Sequence, residues 1–434
     1  MIIGFVGLSH LGIVSSAAIA SKGFRVVAYD PDAVLCNDLR QHRLPLHEPQ
    51  LPELLAASAT CLDYTSDVSE LSNCSVIFFS MDVPTDTDNL SDLSDIRQLI
   101  EHVVSYAAPG TTLVVLSQVP PGFTRGLFRQ YADCEFHIYY QVETLIFGQA
   151  VERALSPERF IIGCSNAWQD LPEAYERLLK AFDCPILPMR YESAELAKIS
   201  INMFLVSSIS TANTLAELCE VIGANWSEIV PALKLDARIG SKAYLNPGLG
   251  IAGGNLERDL MTVKMLGEEH GTGCGVVDAW LANNSRRQDW VLKILHGAVL
   301  TEQHTPTIGV WGLAYKPETD STKNSPSLAL IKVLSHCLLR VYDPAVDFGS
   351  ITRPSVVQVD SALEACAMTD ALVVMTPWSE FAGIDLELVR DNMSGCVIID
   401  PYGLLDSLSC RDLGFKYFCL GLPFPEEDPF DHSS

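Results

Sequence analysis

Apolar positions along this chain fall in short bursts separated by amphipathic stretches. Residues 2–7 are an apolar run that meets the turn Gly7-Leu8-Ser9-His10-Leu11-Gly12. An apolar helical stretch follows over 13–21, and the β-branched run 24–29 closes on Asp30. Strand, tight turn, helix and strand in about 30 residues predict a βαβ unit. Residues 76–80, 112–117 and 137–140 read as further buried strands, and 95–107 has helical periodicity. Alternating β and α predict an α/β fold with a doubly wound parallel sheet.

The pattern changes after Pro188. Residues 192–223 hold no proline and no internal glycine. At about 1.5 Å per residue they predict a helix roughly 40 Å or more in length, closed by Gly223. A second helical region runs from 256 to 300, broken near 271–275. Long helices of this kind form a spine and often an oligomer interface. Residues 304–306 read as a linker, after which strand patterns return at 307–312, 338–342, 371–376 and 396–400. The expected domains are therefore 1–190, 191–303 and 304–434. The tail 423–434 is acidic and reads as a frayed surface end.

Composition narrows the function. With 434 residues, 48% hydrophobic and 8% aromatic, the chain can bury sizeable cores. Its 29 Lys and Arg face 54 Asp and Glu, a formal net charge of −25. Such a surface repels phosphate backbones and anionic lipid, which argues against nucleic-acid or membrane partners. An anionic ligand must be held locally, by amides and a few placed cations. The 13 cysteines include no C-x-x-C pair and no zinc spacing, so reduced thiols in a cytoplasmic protein and no metal site are expected. No basic leader opens the chain and no uncharged apolar run of about 18 residues is read, so no membrane span is expected.

The turn at residues 7–12 matches the dinucleotide fingerprint G-x-G-x-x-G with Ser9 in the middle position. Glycines let the backbone approach a pyrophosphate, and the helix that follows supplies amides and a positive dipole end. Asp30 ends the next strand, where a carboxylate accepts from a ribose 2′-OH and repels a 2′-phosphate. NAD is the expected cofactor, with Gly7, Ser9, Leu11, Gly12 and Asp30 around it.

Several ordered segments carry a resemblance. They are 44–55 (LPLHEPQLPELL), 83–85 (VPT), 117–124 (SQVPPGFT), 193–202 (SAELAKISIN), 236–240 (DARIG), 248–259 (GLGIAGGNLERD), 312–320 (GLAYKPETD) with Ser325-Pro326, and 342–344 (YDP). In these segments the chain resembles the UDP-glucose/GDP-mannose dehydrogenase family along nearly its whole length. The resemblance implies two Rossmann-like doubly wound domains joined by a long central helix, usually a homodimer. It also implies a small-molecule nucleotide sugar as substrate. In that family a C6 alcohol is oxidised to a carboxylate with two NAD, through an aldehyde captured by a cysteine.

The resemblance places Lys198, Asn202, Asp259 and Glu143 in the catalytic set. Lys198 and Asn202 are four apart and share a helix face. Lys198 and Asp259 would handle the hydroxyl proton. Thr85, Gln118 and Lys323 fall among cofactor contacts, with Lys323 in place of an arginine and Gln118 in place of a threonine. Tyr244, Gly253, Arg238 and Lys316 fall in the substrate set, and Asn284 at a family asparagine of the middle domain. Departures cluster. The family loop reads roughly G-F-G-G-S-C-F-P-K-D, and Asn255 stands at its nucleophilic cysteine. Phe147 stands at a second glutamate, Ile146 at the residue before it, and Tyr402 at an arginine. An amide neither captures an aldehyde nor leaves from a thioester. The expectation is one two-electron oxidation to an aldehyde or ketone. The alternatives are a four-electron 6-dehydrogenase without a covalent intermediate, and a non-catalytic NAD- or nucleotide-sugar-binding homologue.

Overall fold

Most of the strands are buried on both faces, as parallel sheets covered by helices require. The computed structural model describes the chain except residues 47, 87–88, 253, 301–304, 348–353 and 426–434. It divides into two compact units, Met1–Ile201 and Asn202–Ser434.

In the first unit the strands are β1 (Ile2–Val6), β2 (Arg25–Tyr29), β3 (Leu62–Thr65), β4 (Val76–Phe79), β5 (Thr112–Val115), β6 (His137–Gln141), β7 (Phe160–Cys164) and β8 (Ile186–Arg190). They form one sheet in the order β3-β2-β1-β4-β5-β6-β7-β8. All pairs are parallel except β6 with β7. The order reverses at β1, whose neighbours are β2 and β4. Such a switch point opens a crevice at the carboxyl ends of the strands. Apolar side chains fill both faces, and Phe5 stacks on Phe78 with ring centroids 4.9 Å apart. The chain pattern hid β3, which is short, β7, and β8, which carries Pro188 at the sheet edge with three of its five residues exposed.

The long helix is Tyr191–Ile222, 32 residues. It holds an 18-residue window apolar enough, by length and composition alone, to cross a membrane, and 39% of that window is buried. The expectation that no such stretch exists is corrected. Scattered Ser, Thr and Asn between Lys198 and Glu217 interrupt the apolar run while leaving it uncharged. Phe204 is 77% exposed, and Leu215, Leu218 and Ile222 continue one exposed stripe.

The second unit continues with helices Trp226–Leu235, Asn255–His270, Gly275–Gln288 and Trp290–Ala298. The anticipated break falls at Gly271, whose φ is +66°, and a second break falls at Asp289. The strands that follow are β9 (Thr307–Trp311), β10 (Leu338–Tyr342), β11 (Val356–Gln358), β12 (Ala371–Val374), β13 (Val397–Ile399) and β14 (Lys416–Phe418). They form a parallel sheet ordered β11-β10-β9-β12-β13-β14. This pair of doubly wound sheets bears out the expected fold class. Glu220, near the end of the long helix, is buried in this unit. It accepts from Trp290 Nε1 at 2.9 Å and from the Gly421 amide at 3.0 Å. The acidic tail falls mostly on residues outside those described.

Candidate active site

The sharp turn after β1 is built by glycine where nothing else fits. Gly7 has φ +87°, and a Cβ there would meet Met81 Cβ at 2.6 Å. A Cβ on Gly12 would sit 2.1 Å from the Gly7 carbonyl oxygen. The helix His10–Ser21 therefore starts directly behind Ser9, and no side chain caps it. Its first-turn amides face the crevice at the switch point, with the positive end of the helix dipole. Leu11 is buried in the first turn. Ser9 directs its hydroxyl to the Ser80 carbonyl at 2.8 Å, so its polar atom is taken up by the protein. Asp30 accepts the Leu8 amide at 2.8 Å and the Asp32 amide at 2.9 Å and remains partly exposed. This cradle fits a dinucleotide: the turn leaves room for phosphate, and a carboxylate with free acceptor capacity stands at the end of β2.

Because β1, β2, β4, β5 and β6 are parallel, the segments that follow them share one edge of the sheet. Thr85 lies after β4 in an isolated bridge with Ser91, Gln118 after β5, and Glu143 after β6. Lys198 Nζ donates to the Glu143 carbonyl at 3.1 Å and to Glu143 Oε1 at 3.0 Å. Glu143 Oε2 also accepts the Leu145 amide at 2.7 Å. The pair is largely buried, with side chains 13% and 18% exposed. Three residues before Lys198, buried Glu195 caps the helix Phe123–Gln130, accepting from the Gly122 and Thr124 amides at 2.6 and 2.8 Å. Burial pushes its carboxyl above the usual range, opposed by those amides.

In the second unit Asn202 Nδ2 donates to Asp259 Oδ2 at 2.6 Å, and Asp259 is 2% exposed. Asn255 opens the helix Asn255–His270 and is exposed, next to Gly254 at φ +89°. The loop before it is ordered by Asn284, whose Oδ1 accepts the Ile251 amide at 2.6 Å, and by Asn213, which accepts the Gly248 amide at 2.9 Å. Lys323 runs its stem past Gly254, and Asn324 donates to Glu257. Burial raises the Glu257 carboxyl, opposed by the Asn324 hydrogen bond and the Lys323 charge.

The remaining substrate candidates are more scattered. Arg238 is exposed and paired with Asp236 at 2.6 Å. Tyr244 is exposed. Lys316 lies in the loop after β9, its Nζ 5.8 Å from the Tyr315 ring centre. Tyr402 donates its hydroxyl to the Met375 carbonyl at 3.1 Å. Gly253 lies outside the described residues. Among the described residues no group of three or more His, Cys, Asp or Glu is placed to hold a metal ion. Sequence reading missed His10, Glu48, Glu195 and Asn213 as site-building residues. Their signal is a polar group set among apolar neighbours, but their partners are far away in the chain.

Three family models match the chain. They are the NAD binding domain of the UDP-glucose/GDP-mannose dehydrogenase family over residues 1–183, its central domain over 192–286 and its UDP binding domain over 309–407. The chain belongs to the UDP-glucose/GDP-mannose dehydrogenase family. The resemblance read from the sequence is borne out, and with it NAD as cofactor and an NAD-dependent oxidoreductase acting on nucleotide sugars. This dehydrogenase is 28% identical to a UDP-glucose 6-dehydrogenase of Rickettsia conorii, covering 97% of this chain and 99% of that one. A solved UDP-glucose dehydrogenase from Pyrobaculum islandicum superposes with a TM-score of 0.83 at 26% identity, covering 97% of this chain and 98% of that one. A UDP-D-ManNAc dehydrogenase from Pyrococcus horikoshii shares the fold, with a TM-score of 0.83 at 24% identity over 97% of this chain and 99% of that one.

Proposed function

We propose that this dehydrogenase performs one two-electron oxidation of a hydroxyl on a UDP-sugar-like nucleotide sugar and releases an aldehyde or ketone. Bound NAD supplies the hydride acceptor. Gly7, Ser9, Leu11, Gly12 and Asp30 hold its phosphate and ribose, and Thr85, Gln118 and Lys323 add contacts. As the carbinol C–H breaks and its hydride leaves for NAD, the O–H proton passes to the Asp259 carboxylate while the Lys198 ammonium donates to the oxygen left behind. Glu143 orients the lysine through its carbonyl and carboxylate, and Asn202 holds the Asp259 carboxylate through Oδ2 while Arg258 faces Oδ1 at 3.6 Å. Lys316, Arg238, Tyr244 and Gly253 take the nucleotide sugar. A proton-handling group at hydrogen-bond reach contributes about 10²–10⁴-fold in rate.

The observation that carries this reading is the pairing of Lys198 with Glu143 and of Asn202 with Asp259 in a chain that has an amide at residue 255. The resemblance read from the sequence implies a cysteine at this position in the family, and the thioester route needs its thiolate. Phe147 adds apolar bulk where a second carboxylate would position water. We further read the exposed stripe Phe204, Leu215, Leu218 and Ile222 as the face that takes a second copy of the chain.

The test is NADH absorbance over a panel of nucleotide sugars. One NADH per substrate consumed is expected; two, or none across the panel, overturns the reading. Lys198→Ala and Asp259→Asn are each expected to slow turnover by about 10²–10⁴-fold. Acid product is expected from Asn255→Cys only if a nucleophile was the sole missing part.

A further inference from the structure

The segment between β6 and the helix Ala150–Leu155 belongs to neither a strand nor a helix, yet it carries Glu143 and Phe147. Its anchor is a carboxylate from elsewhere in the chain. Glu48 is 2% exposed. It accepts the Gly148 amide at 3.0 Å and the Ala150 amide at 2.9 Å. It also accepts from His10 Nε2 at 2.9 Å. His10 is the first residue of the helix behind the glycine turn, and its ring stacks on Phe147 with centroids 4.1 Å apart and planes at 24°. A buried carboxylate needs such donors, and each one removed leaves an acceptor unmet.

We propose that His10 and Glu48 are positioning residues that latch the 143–150 segment to the glycine turn, coupling NAD seated there to the Glu143–Lys198 pair. The ring of Phe147 is pinned from one side by His10, and its following backbone by Glu48. Glu143, four residues earlier, holds Lys198. One carboxylate thus bonds both the turn that takes the cofactor and the segment that orients the lysine. The turn cannot shift on binding without moving His10, and His10 cannot move without disturbing Glu48 or Phe147. The proposal rests on the preceding reading only in taking Lys198 as the proton-handling group.

The test uses the full-length protein with His10→Leu, Glu48→Gln and His10→Gln. Amide hydrogen exchange over 144–150 is followed with and without NAD. NAD affinity, kcat and the KM for the nucleotide sugar are measured separately. His10→Leu and Glu48→Gln are expected to speed exchange over 144–150 by about tenfold and to abolish NAD-induced protection there, while residues 7–12 stay protected. In both, kcat is expected to fall by about tenfold while NAD affinity changes less than about threefold. His10→Gln, whose amide still donates, is expected to restore both readouts to within about threefold. Unchanged exchange in both disrupting variants overturns the proposal. So does a loss of kcat matched by an equal loss of NAD affinity, or a His10→Gln variant no better than His10→Leu. If Glu48→Gln does not fold, the two His10 variants decide. The exchange readout is the same whether one or two NADH form per substrate, so its failure is distinct from failure of the single-oxidation reading.

Discussion

The dehydrogenase contains the same turn twice, put to different uses. After β1 the chain turns at Gly7, and after β9 at Gly312, with φ of +87° and +96°. In each a Cβ would collide with the second residue after the crossover strand, Met81 at 2.6 Å and Thr376 at 2.4 Å. In each an aspartate at the end of the neighbouring strand accepts the amide after the glycine. Asp30 takes Leu8, and Asp343 takes Leu313. There the likeness stops. In the first half only Gly7, Leu8 and Ser9 separate strand from helix, so backbone amides and the helix dipole reach the crevice. In the second half residues 312–325 intervene before the helix Pro326–Val333, and lysines 316 and 323 lie in that stretch. Asp343 is 5% exposed and also accepts from Ala314, Ala345, Val346 and Trp378 Nε1. Asp30 keeps acceptor capacity for a ribose, whereas Asp343 is saturated by its own fold. A shared turn therefore does not carry a shared ligand; what decides is whether the carboxylate has acceptor capacity left.

The sharpest way to break this comparison is to neutralise both aspartates. Asp343→Asn, which sets an NH₂ against buried donors, is expected to cost about 3 kcal/mol in denaturant unfolding. Asp30→Asn is expected to cost about 1 kcal/mol but to weaken NAD binding by about tenfold. Equal stability losses, with NAD binding unaffected, would erase the distinction. Next is Ser9→Gly, which restores a bare backbone in the first turn. It is expected to tighten NAD by about two- to fivefold, measured by NADH fluorescence titration, with less than about 1 kcal/mol change in stability. The smallest effect concerns the long loop of the second half, held to the helix Asn255–His270 through Asn324 and Glu257. Burial raises the Glu257 carboxyl above its ordinary 4.5. Between the ordinary and the raised value the folded protein keeps a proton that the unfolded chain releases, so this group's contribution to stability falls as pH rises. Wild type is expected to lose stability relative to Glu257→Gln as pH climbs from about 4.5, read from paired unfolding curves.

What the chain pattern revealed follows from range. The β1–turn–helix–β2 unit was readable because its apolar periods and its glycines are local. The long helix was readable because proline and glycine are absent from it. β8 was not, since Pro188 and edge exposure erase the strand signature. The glycine turn, Asp30 and the Lys198–Asn202 spacing could be read as chemistry from sequence. The partner of Asn202 lies 57 residues on, and the amides bound by Glu48 lie 100 and 102 residues on. No window along the sequence contains both members of such a pair. Residue 48 was visible only as one position of a segment that carries the family resemblance, and residue 147 only as a departure from a family pattern.

Glu220 has a consequence for how the chain is made. The amide it accepts belongs to Gly421, 201 residues later. During synthesis the acid at the far end of the long helix can meet Trp290 and Arg287 early, but it lacks the Gly421 amide until nearly the whole chain has emerged. Closing so wide a loop is entropically costly and slow compared with forming the local βαβ units. The amino-terminal sheet has every strand it needs long before that clasp is available, so assembly runs from the cofactor end towards the carboxyl terminus. Chains that stop short of residue 421 are left with the buried acid facing one fewer donor, a built-in mark of incompleteness.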